Sequence, residues 1–342
     1  MNYQELPYSP GSILFAPMEG ITEPVYRQTV MKLYPGWSHF CTDFLRIPTT
    51  GHFSEKKIIH HFGESIFANE KFKAKTTFQV LTSARANNEF TVKQIEGLGF
   101  KHLDLNLGCP SKKVNSHGGG AYLLSSPEEL KKVISTIREN YQSTFTVKMR
   151  VGYRDDKSFE ESLKIIEGEG AQGVTLHART RDQLYKGVAK WSYIEQAQKL
   201  LSIPLIGNGD VWSPQDVKSM FEQTGCHSIM MGRGALKTPW LPRLLEKQEV
   251  EPLTSRKKHI LEYFDHLEVA YAKIGWEEHQ ILRRFKALAR YLFDDFAPMS
   301  KSLFLRSKNL SDAKTIIKKL PTTVVQNDEP IQSTHSPAEM TL

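Results

Sequence analysis

Eight short β-rich runs alternate with amphipathic helical stretches between Ile13 and about Gly234, and this rhythm limits the folds open to the chain more than any other feature. The runs fall at 13–16, 39–43, 76–81, 102–106, 144–150, 173–177, 204–207 and 227–232. Strands separated by helices pair in parallel, and eight such units predict a closed α/β barrel, the TIM (β/α)8 barrel, rather than an open sheet. Helix starts are marked by Ser126-Pro127-Glu128-Glu129, by Ser158 with Glu161, and by Ser213-Pro214-Gln215-Asp216, each read as a hydroxyl cap answered by an acid. The stretch 46–75 is too long for a simple connection and predicts an elaborated loop near the active face.

Beyond Pro239 the strand signal stops. Residues 256–273, 277–293 and 311–320 read as helices, a small C-terminal bundle appended to the barrel. In the middle one Ile281, Phe285, Leu288 and Leu292 share a side, and Arg283, Lys286 and Arg290 the opposite side. The expected organisation is a catalytic barrel over 1–245, a helical domain over 246–320, and a disordered tail over 321–342, which lacks aromatics and gathers Thr, Gln, Ser and Pro.

The formal charge of the 342-residue chain is +7, and between Arg256 and Leu320 there are 14 Lys and Arg against 8 Asp and Glu. Nearly all the excess positive charge therefore lies in the helical region, where it suits a polyanion. No apolar run approaches the roughly 18 residues that cross a bilayer, and 1–11 lacks the pattern of a signal peptide, so a cytoplasmic protein without membrane contact is expected. Three cysteines are too few for a disulfide framework. Cys41 and Cys226 lie in apolar runs and read as packing residues, whereas Cys109 has small and polar neighbours. His52, His60 and His61 have no carboxylate at ligand spacing, so no metal is expected.

Chemistry collects where the runs end. Pro17-Met18-Glu19 follows the first, Gln79 lies on the third, Asn106 and Cys109 follow the fourth, and Lys148 lies on the fifth. His177 ends the sixth, Asn208-Gly209-Asp210 follows the seventh, and Gly232-Arg233-Gly234 follows the eighth. Buried polar groups without partners cost roughly 1–3 kcal/mol each, so a ring of them at one end of a barrel is a site rather than a scaffold. The two glycine turns and Arg233 suit a phosphate, and Lys148 and Gln79 suit the edge of a flat heterocycle, which together point to flavin mononucleotide.

At Ala16-Pro-Met-Glu-Gly20, Cys109-Pro-Ser-Lys-Lys-Val-Asn115, Lys148-Met-Arg150, His177-Ala-Arg-Thr180, Gly207-Asn-Gly-Asp210 and Gly232-Arg-Gly-Ala235 the chain resembles the FMN-dependent tRNA dihydrouridine synthases. The resemblance implies hydride transfer from reduced FMN to C6 of a tRNA uridine, a proton from Cys109 to C5, and NADPH as reductant. It implies FMN contacts from Pro17, Met18, Glu19, Gln79, Lys148, His177, Asn208, Gly209, Asp210, Gly232 and Arg233, and contacts to the base from Asn106 and Tyr185. A monomer is expected. Within the family the chain is most similar to the bacterial subgroup that modifies uridine 16. There Asp43, Arg284, Lys286 and Arg306 would select the uridine, with Asp43 standing where Glu is expected. The competing readings are another D-loop uridine, a small-molecule FMN barrel reductase of the dihydroorotate or ene type, and a tRNA binder without catalysis.

Overall fold

Nine strands make one sheet: β1 (Ile13–Phe15), β2 (His39–Cys41), β3 (Leu45–Arg46), β4 (Thr76–Leu81), β5 (His102–Leu107), β6 (Thr144–Arg150), β7 (Val174–His177), β8 (Leu205–Asn208) and β9 (Ser228–Met231). This is a computed structural model, and it describes residues 6–247, 251, 253–293 and 297–320. Every pairing is parallel, and β1 joins both β2 and β9, which closes the barrel. β2 and β3 both lie along β4, at Phe40↔Thr76 and Leu45↔Val80, so they are one barrel strand interrupted at 42–44. At the break the Thr42 hydroxyl accepts the N–H of Gln79 at 2.9 Å, a bond a regular ladder would have filled with a carbonyl. The eight predicted strands are all present, with ends moved by a residue or two.

Side-chain alternation divides the barrel wall. On β5 Leu103, Leu105 and Leu107 are fully buried in the main apolar core with helix residues such as Val92 and Ile95, and His102, Asp104 and Asn106 take the other face. β6 repeats this with Phe145, Val147 and Met149 against Thr144, Thr146, Lys148 and Arg150. The barrel interior is thus unusually polar, and its hydrogen bonds must be made strand to strand.

Of the three predicted capping boxes only Ser213 forms one, with Asp216. Ser126 and Ser158 make no side-chain bond to their helices. Ser158 has φ −92° and ψ 9°, not the extended backbone of a cap, and its hydroxyl donates to the Leu124 carbonyl at 2.6 Å. The 46–75 segment is not simply a loop, because it folds into three short helices, Glu55–Phe62, Glu64–Phe67 and Glu70–Ala74. Ile58, Phe62 and Ile66 bury them, with Phe62 stacked on Phe78 of β4 at 6.1 Å. Glu64 does follow His60 at helical spacing, 3.6 Å away and exposed, but His61 turns to the Asp43 carbonyl. Among the described residues no three ligand-type side chains gather as a metal site.

The C-terminal bundle has four described helices, Leu253–Lys273, Glu278–Leu292, Pro298–Arg306 and Leu310–Lys318. The third was absent from the sequence reading, being nine residues long with a weak apolar stripe. Ile281, Phe285, Leu288 and Leu292 are buried as the spacing predicts, and Phe285 stacks on Phe264 at 4.2 Å. The bundle is bound to the barrel by polar contacts: Tyr263 donates to the Tyr26 hydroxyl at 2.8 Å in the interior, and Arg284 to the exposed Gly20 carbonyl at 2.6 Å. No helix among the described residues is long and apolar enough to cross a membrane. The tail expected at 321–342 lies outside the described residues.

Candidate active site

Cys109 sits two residues past β5, where Pro110 ends any extended run. Its loop is held from three sides. Arg150 Nε donates to the Gly108 carbonyl at 2.9 Å, Asn115 Nδ2 to the Cys109 carbonyl at 3.1 Å, and Arg181 Nε to the Pro110 carbonyl at 3.2 Å. Gly120 has φ +60°, and a Cβ there would stand 3.2 Å from Cys109 Cβ, so only glycine lets the following turn close over the thiol. Cys109 is 7% exposed, and burial pushes its thiol up despite an opposing bond from the Ser111 backbone. At neutral pH the thiol therefore keeps its proton rather than resting as a thiolate.

Beside it, Asn106 and Lys148 are direct neighbours across β5 and β6, and both are partly open to the mouth. Burial pushes Lys148 down to about 8, with Arg150 adding to the effect and Asp104 opposing it. Its Nζ reaches Asn208 Oδ1 at 3.4 Å, which leaves most of its donor capacity free. Gln79 is fully buried: its Oε1 accepts Asn106 Nδ2 and its Nε2 donates to Asp104, both at 2.8 Å. Gln79 thus reaches the mouth through Asn106 in this structure.

The β8 and β9 turns meet backbone to backbone. A Cβ on Gly234 would lie 2.0 Å from the Val211 carbonyl, and one on Gly209, at φ +121°, would lie 2.8 Å from Ala189 Cβ. Asp210 follows in the left-handed region and does not face an open cradle: Arg179 binds it in fork geometry at 3.0 and 2.5 Å, and Arg233 at 3.1 Å. Its role here is to orient those guanidiniums. Arg233 lies over Tyr185 and Trp212, 4.9 Å from each ring, and Arg150 approaches Tyr185 at 5.5 Å. Burial, then the positive field of Arg150, Lys148, Arg179 and Arg233, holds His177 well below its ordinary range, so it is neutral. Pro17, Met18 and Glu19 follow β1 at the same rim. Burial and then Asp43 push the Glu19 carboxyl up.

The four residues read as uridine selectors divide into two pairs. Asp43 and Arg284 converge on Gly20, whose N–H donates to Asp43 Oδ2 at 3.3 Å while its carbonyl accepts Arg284. Thr22 donates to the other Asp43 oxygen, and Arg284 also reaches Glu23 Oε1 at 3.4 Å. Lys286 and Arg306 make no ion pair or side-chain hydrogen bond among the described residues, and Arg306 is exposed at the end of its helix. The residues that sequence reasoning missed are Asp104, Thr146, His102 and Arg179. The first three carry a legible signal, polar residues at every second position of β5 and β6, while Arg179 sits in a matched segment without an assigned role.

A closed α/β barrel with a buried thiol, a half-buried lysine and oriented guanidiniums at the carboxyl ends of its strands is an enzyme of the α/β-barrel class. The dihydrouridine synthase (Dus) family model matches residues 14–326, and the chain belongs to that family. It is 35% identical over 240 residues to a tRNA-dihydrouridine(16) synthase of Neisseria meningitidis, covering 69% of this chain and 72% of that one. It is 30% identical to a tRNA-dihydrouridine(16) synthase of Haemophilus influenzae over 83% of this chain and 91% of that one. A tRNA-dihydrouridine synthase B of Pasteurella multocida is likewise 30% identical, over 82% and 83%. Among solved structures, histamine dehydrogenase from Rhizobium sp. 4-9 superposes with a TM-score of 0.52 at 14% identity, over 77% of this chain and 48% of that one, a likeness of fold.

Proposed function

We propose that the protein reduces a uridine of tRNA to 5,6-dihydrouridine, with FMN as its resident group, NADPH as reductant and uridine 16 as target. The observation that carries this reading is the buried Cys109 at the end of β5, three residues beyond Asn106, whose direct neighbour across the strands is Lys148. Reduced flavin, when bound, supplies the hydride that C6 of the base requires. The chain's own part is to deliver a proton from Cys109 Sγ to C5 and to hold the reactants. Lys148 and Asn106 offer N–H donors to a heterocycle edge, and Arg233, fixed by Asp210, offers charge near the Gly209 and Gly232 turns. Tyr185 is 40% exposed against two guanidiniums, a surface on which a flipped base can stack.

The RNA would be gripped from both rims, with residues 246–320 acting as a binding domain. Arg283 and Arg290 are exposed on the outer face of helix Glu278–Leu292. Along the 112–119 stretch that follows Cys109 a cleft of about 930 Å³ is lined by Arg46, Arg85, Lys112, Arg154 and Arg181 against the one carboxylate of Glu129, with Tyr122 and Tyr153 among them. Selection of uridine 16 is supported by the meeting of Asp43 and Arg284 at Gly20.

Mass mapping of unmodified tRNA after incubation with protein, FMN and NADPH tests the reading. A two-hydrogen gain at uridine 16 is expected. A gain at another D-loop uridine keeps the reaction and removes the role given to Asp43 and Arg284. No gain from flavin-loaded, reducible protein points instead to a small-molecule barrel reductase.

Two further outcomes follow. Binding of tRNA should weaken steeply with salt, and Arg283→Ala with Arg290→Ala should lower the slope of log Kd against log salt by about one to two, as measured by filter binding. Lys148 is charged below about pH 8 and neutral above it, so turnover with tRNA should decline as pH rises through that value. Lys148→Met should remove that limb of the pH profile together with most of the activity.

A further inference from the structure

Seven hydrogen bonds run through the barrel interior and meet at one residue that the reaction as described does not use. From the floor, His39 Nε2 lies 2.8 Å from Thr77 Oγ1, which lies 2.8 Å from His102 Nδ1. His102 Nε2 lies 2.9 Å from Thr146 Oγ1, and that hydroxyl donates to Asp104 Oδ1 at 2.7 Å. From the mouth, Gly108 N–H donates to Asn106 Oδ1 at 2.9 Å, Asn106 Nδ2 to Gln79 Oε1 at 2.8 Å, and Gln79 Nε2 to Asp104 Oδ2 at 2.8 Å.

The direction of every bond follows from donor chemistry. An ionised carboxylate only accepts, so the single Thr146 proton points to Asp104, and Thr146 must accept from His102 Nε2–H. Burial pushes His102 down to about 3, so the ring is neutral, its Nδ1 is bare, and Nδ1 takes the Thr77 proton. Thr77 must then accept from His39 Nε2–H, which leaves His39 Nδ1 bare, buried and without a hydrogen-bond partner among the described residues. At the other end a backbone N–H can only donate, so Gly108 fixes the Asn106 amide, and Asn106 fixes Gln79. Two one-way chains converge on Asp104, which is 3% exposed.

We propose that Asp104 is a positioning residue, the common acceptor that locks the Gln79–Asn106 amide pair with its donors in register beside Lys148. The consequence for uridine reduction rests on the function proposed above; the orientation of the amides does not. The carboxylate is a burden on the fold, since burial pushes it up to about 6 against the bonds from Thr146 and Gln79. A side chain serving stability alone would not need that charge.

The chains make a spectroscopic prediction independent of turnover. Histidine ¹⁵N spectra at neutral pH should show His39 and His102 both as Nε2–H tautomers, assigned with His39→Gln and His102→Gln. Asp104→Asn puts a donor where both chains need an acceptor. The upper chain ends on a backbone N–H and cannot reverse, so the lower one reverses and both rings become Nδ1–H. Asp104→Leu offers no acceptor, leaves the Thr146 and Gln79 donors unpaired and loosens the Gln79 end of the amide pair, so the melting temperature should fall moderately while kcat/KM for tRNA falls on the order of 10²-fold with flavin still bound. A native His102 in the Nδ1–H form, or tautomers unmoved by Asp104→Asn, would overturn the converging chains. An Asp104→Leu protein with native kcat/KM, or one that loses its flavin along with activity, would overturn the positioning role. Absence of dihydrouridine from the native protein, with both rings still reversing in Asp104→Asn, sinks the proposed function and supports the lock.

Discussion

Replacing Cys109 by Ala should cut dihydrouridine formation by about 10²- to 10⁴-fold, the range that loss of a positioned acid removes, while flavin and tRNA remain bound. The argument rests on protonation and on geometry. Burial raises the thiol, so the group that meets a substrate at neutral pH carries its proton. Its backbone is held by Arg150, Asn115 and Arg181 through the carbonyls of Gly108, Cys109 and Pro110, none of which the substitution removes. The loop should therefore keep its shape in the variant, and the loss should appear in kcat. Cys109→Ser keeps the shape and an O–H, but a hydroxyl is a far weaker acid, so it should be nearly as slow. The readout is the two-hydrogen mass gain on tRNA over time. Full activity in Cys109→Ala would take the thiol out of the reaction.

Replacing Arg179 by Ala should cost about 2–4 kcal/mol of stability, because it removes the charge-assisted fork on Asp210 together with two bonds to the 186–187 carbonyls. Arg179 is 1% exposed and joins three pieces of chain. It stands two residues beyond β7, forks onto Asp210 after β8, and donates to the carbonyls of Lys186 and Gly187 at 3.3 and 2.6 Å. Without it, Asp210 keeps Arg233 and the Ala189 N–H, which cannot hold the 186–189 loop against the β8 turn. Arg179→Lys should recover little, since an ammonium cannot make the fork. Thermal melting and retained flavin are the measurements: both should fall together in Arg179→Ala, whereas Cys109→Ala should leave both near native values. A native melting temperature in Arg179→Ala would show that the turn stands without this arginine.

Much of the molecule was legible because its signals are local. Alternating short β-rich runs and helices define the barrel within a residue or two of each strand, and Ser213 with Asp216 caps its helix as read. Cys109 was legible because a thiol before proline at a strand's end leaves the chain few other conformations. The apolar stripe of Ile281, Phe285, Leu288 and Leu292 predicted its burial from spacing alone. Local signals failed where backbone geometry overrode side-chain type, as at Ser158, and where a nine-residue helix at Pro298–Arg306 offered too short a pattern.

What the sequence by itself determined, then, was the order of elements and the identity of the groups at the strand ends. The tertiary structure alone decided which of those groups bind one another. Gln79 and Asn106 are 27 residues apart, Asp104 and Thr146 42, and Trp37 donates to the carbonyl of Pro239 across 202. Nothing in the spacing of a chain states which inward-facing donor will meet which acceptor, because that depends on strand register and on closure of the barrel. Hence Asp210 was legible as a turn residue but not as the anchor of two arginines, and Asp104 was legible as an inward-facing polar residue but not as the point where two chains of donors end.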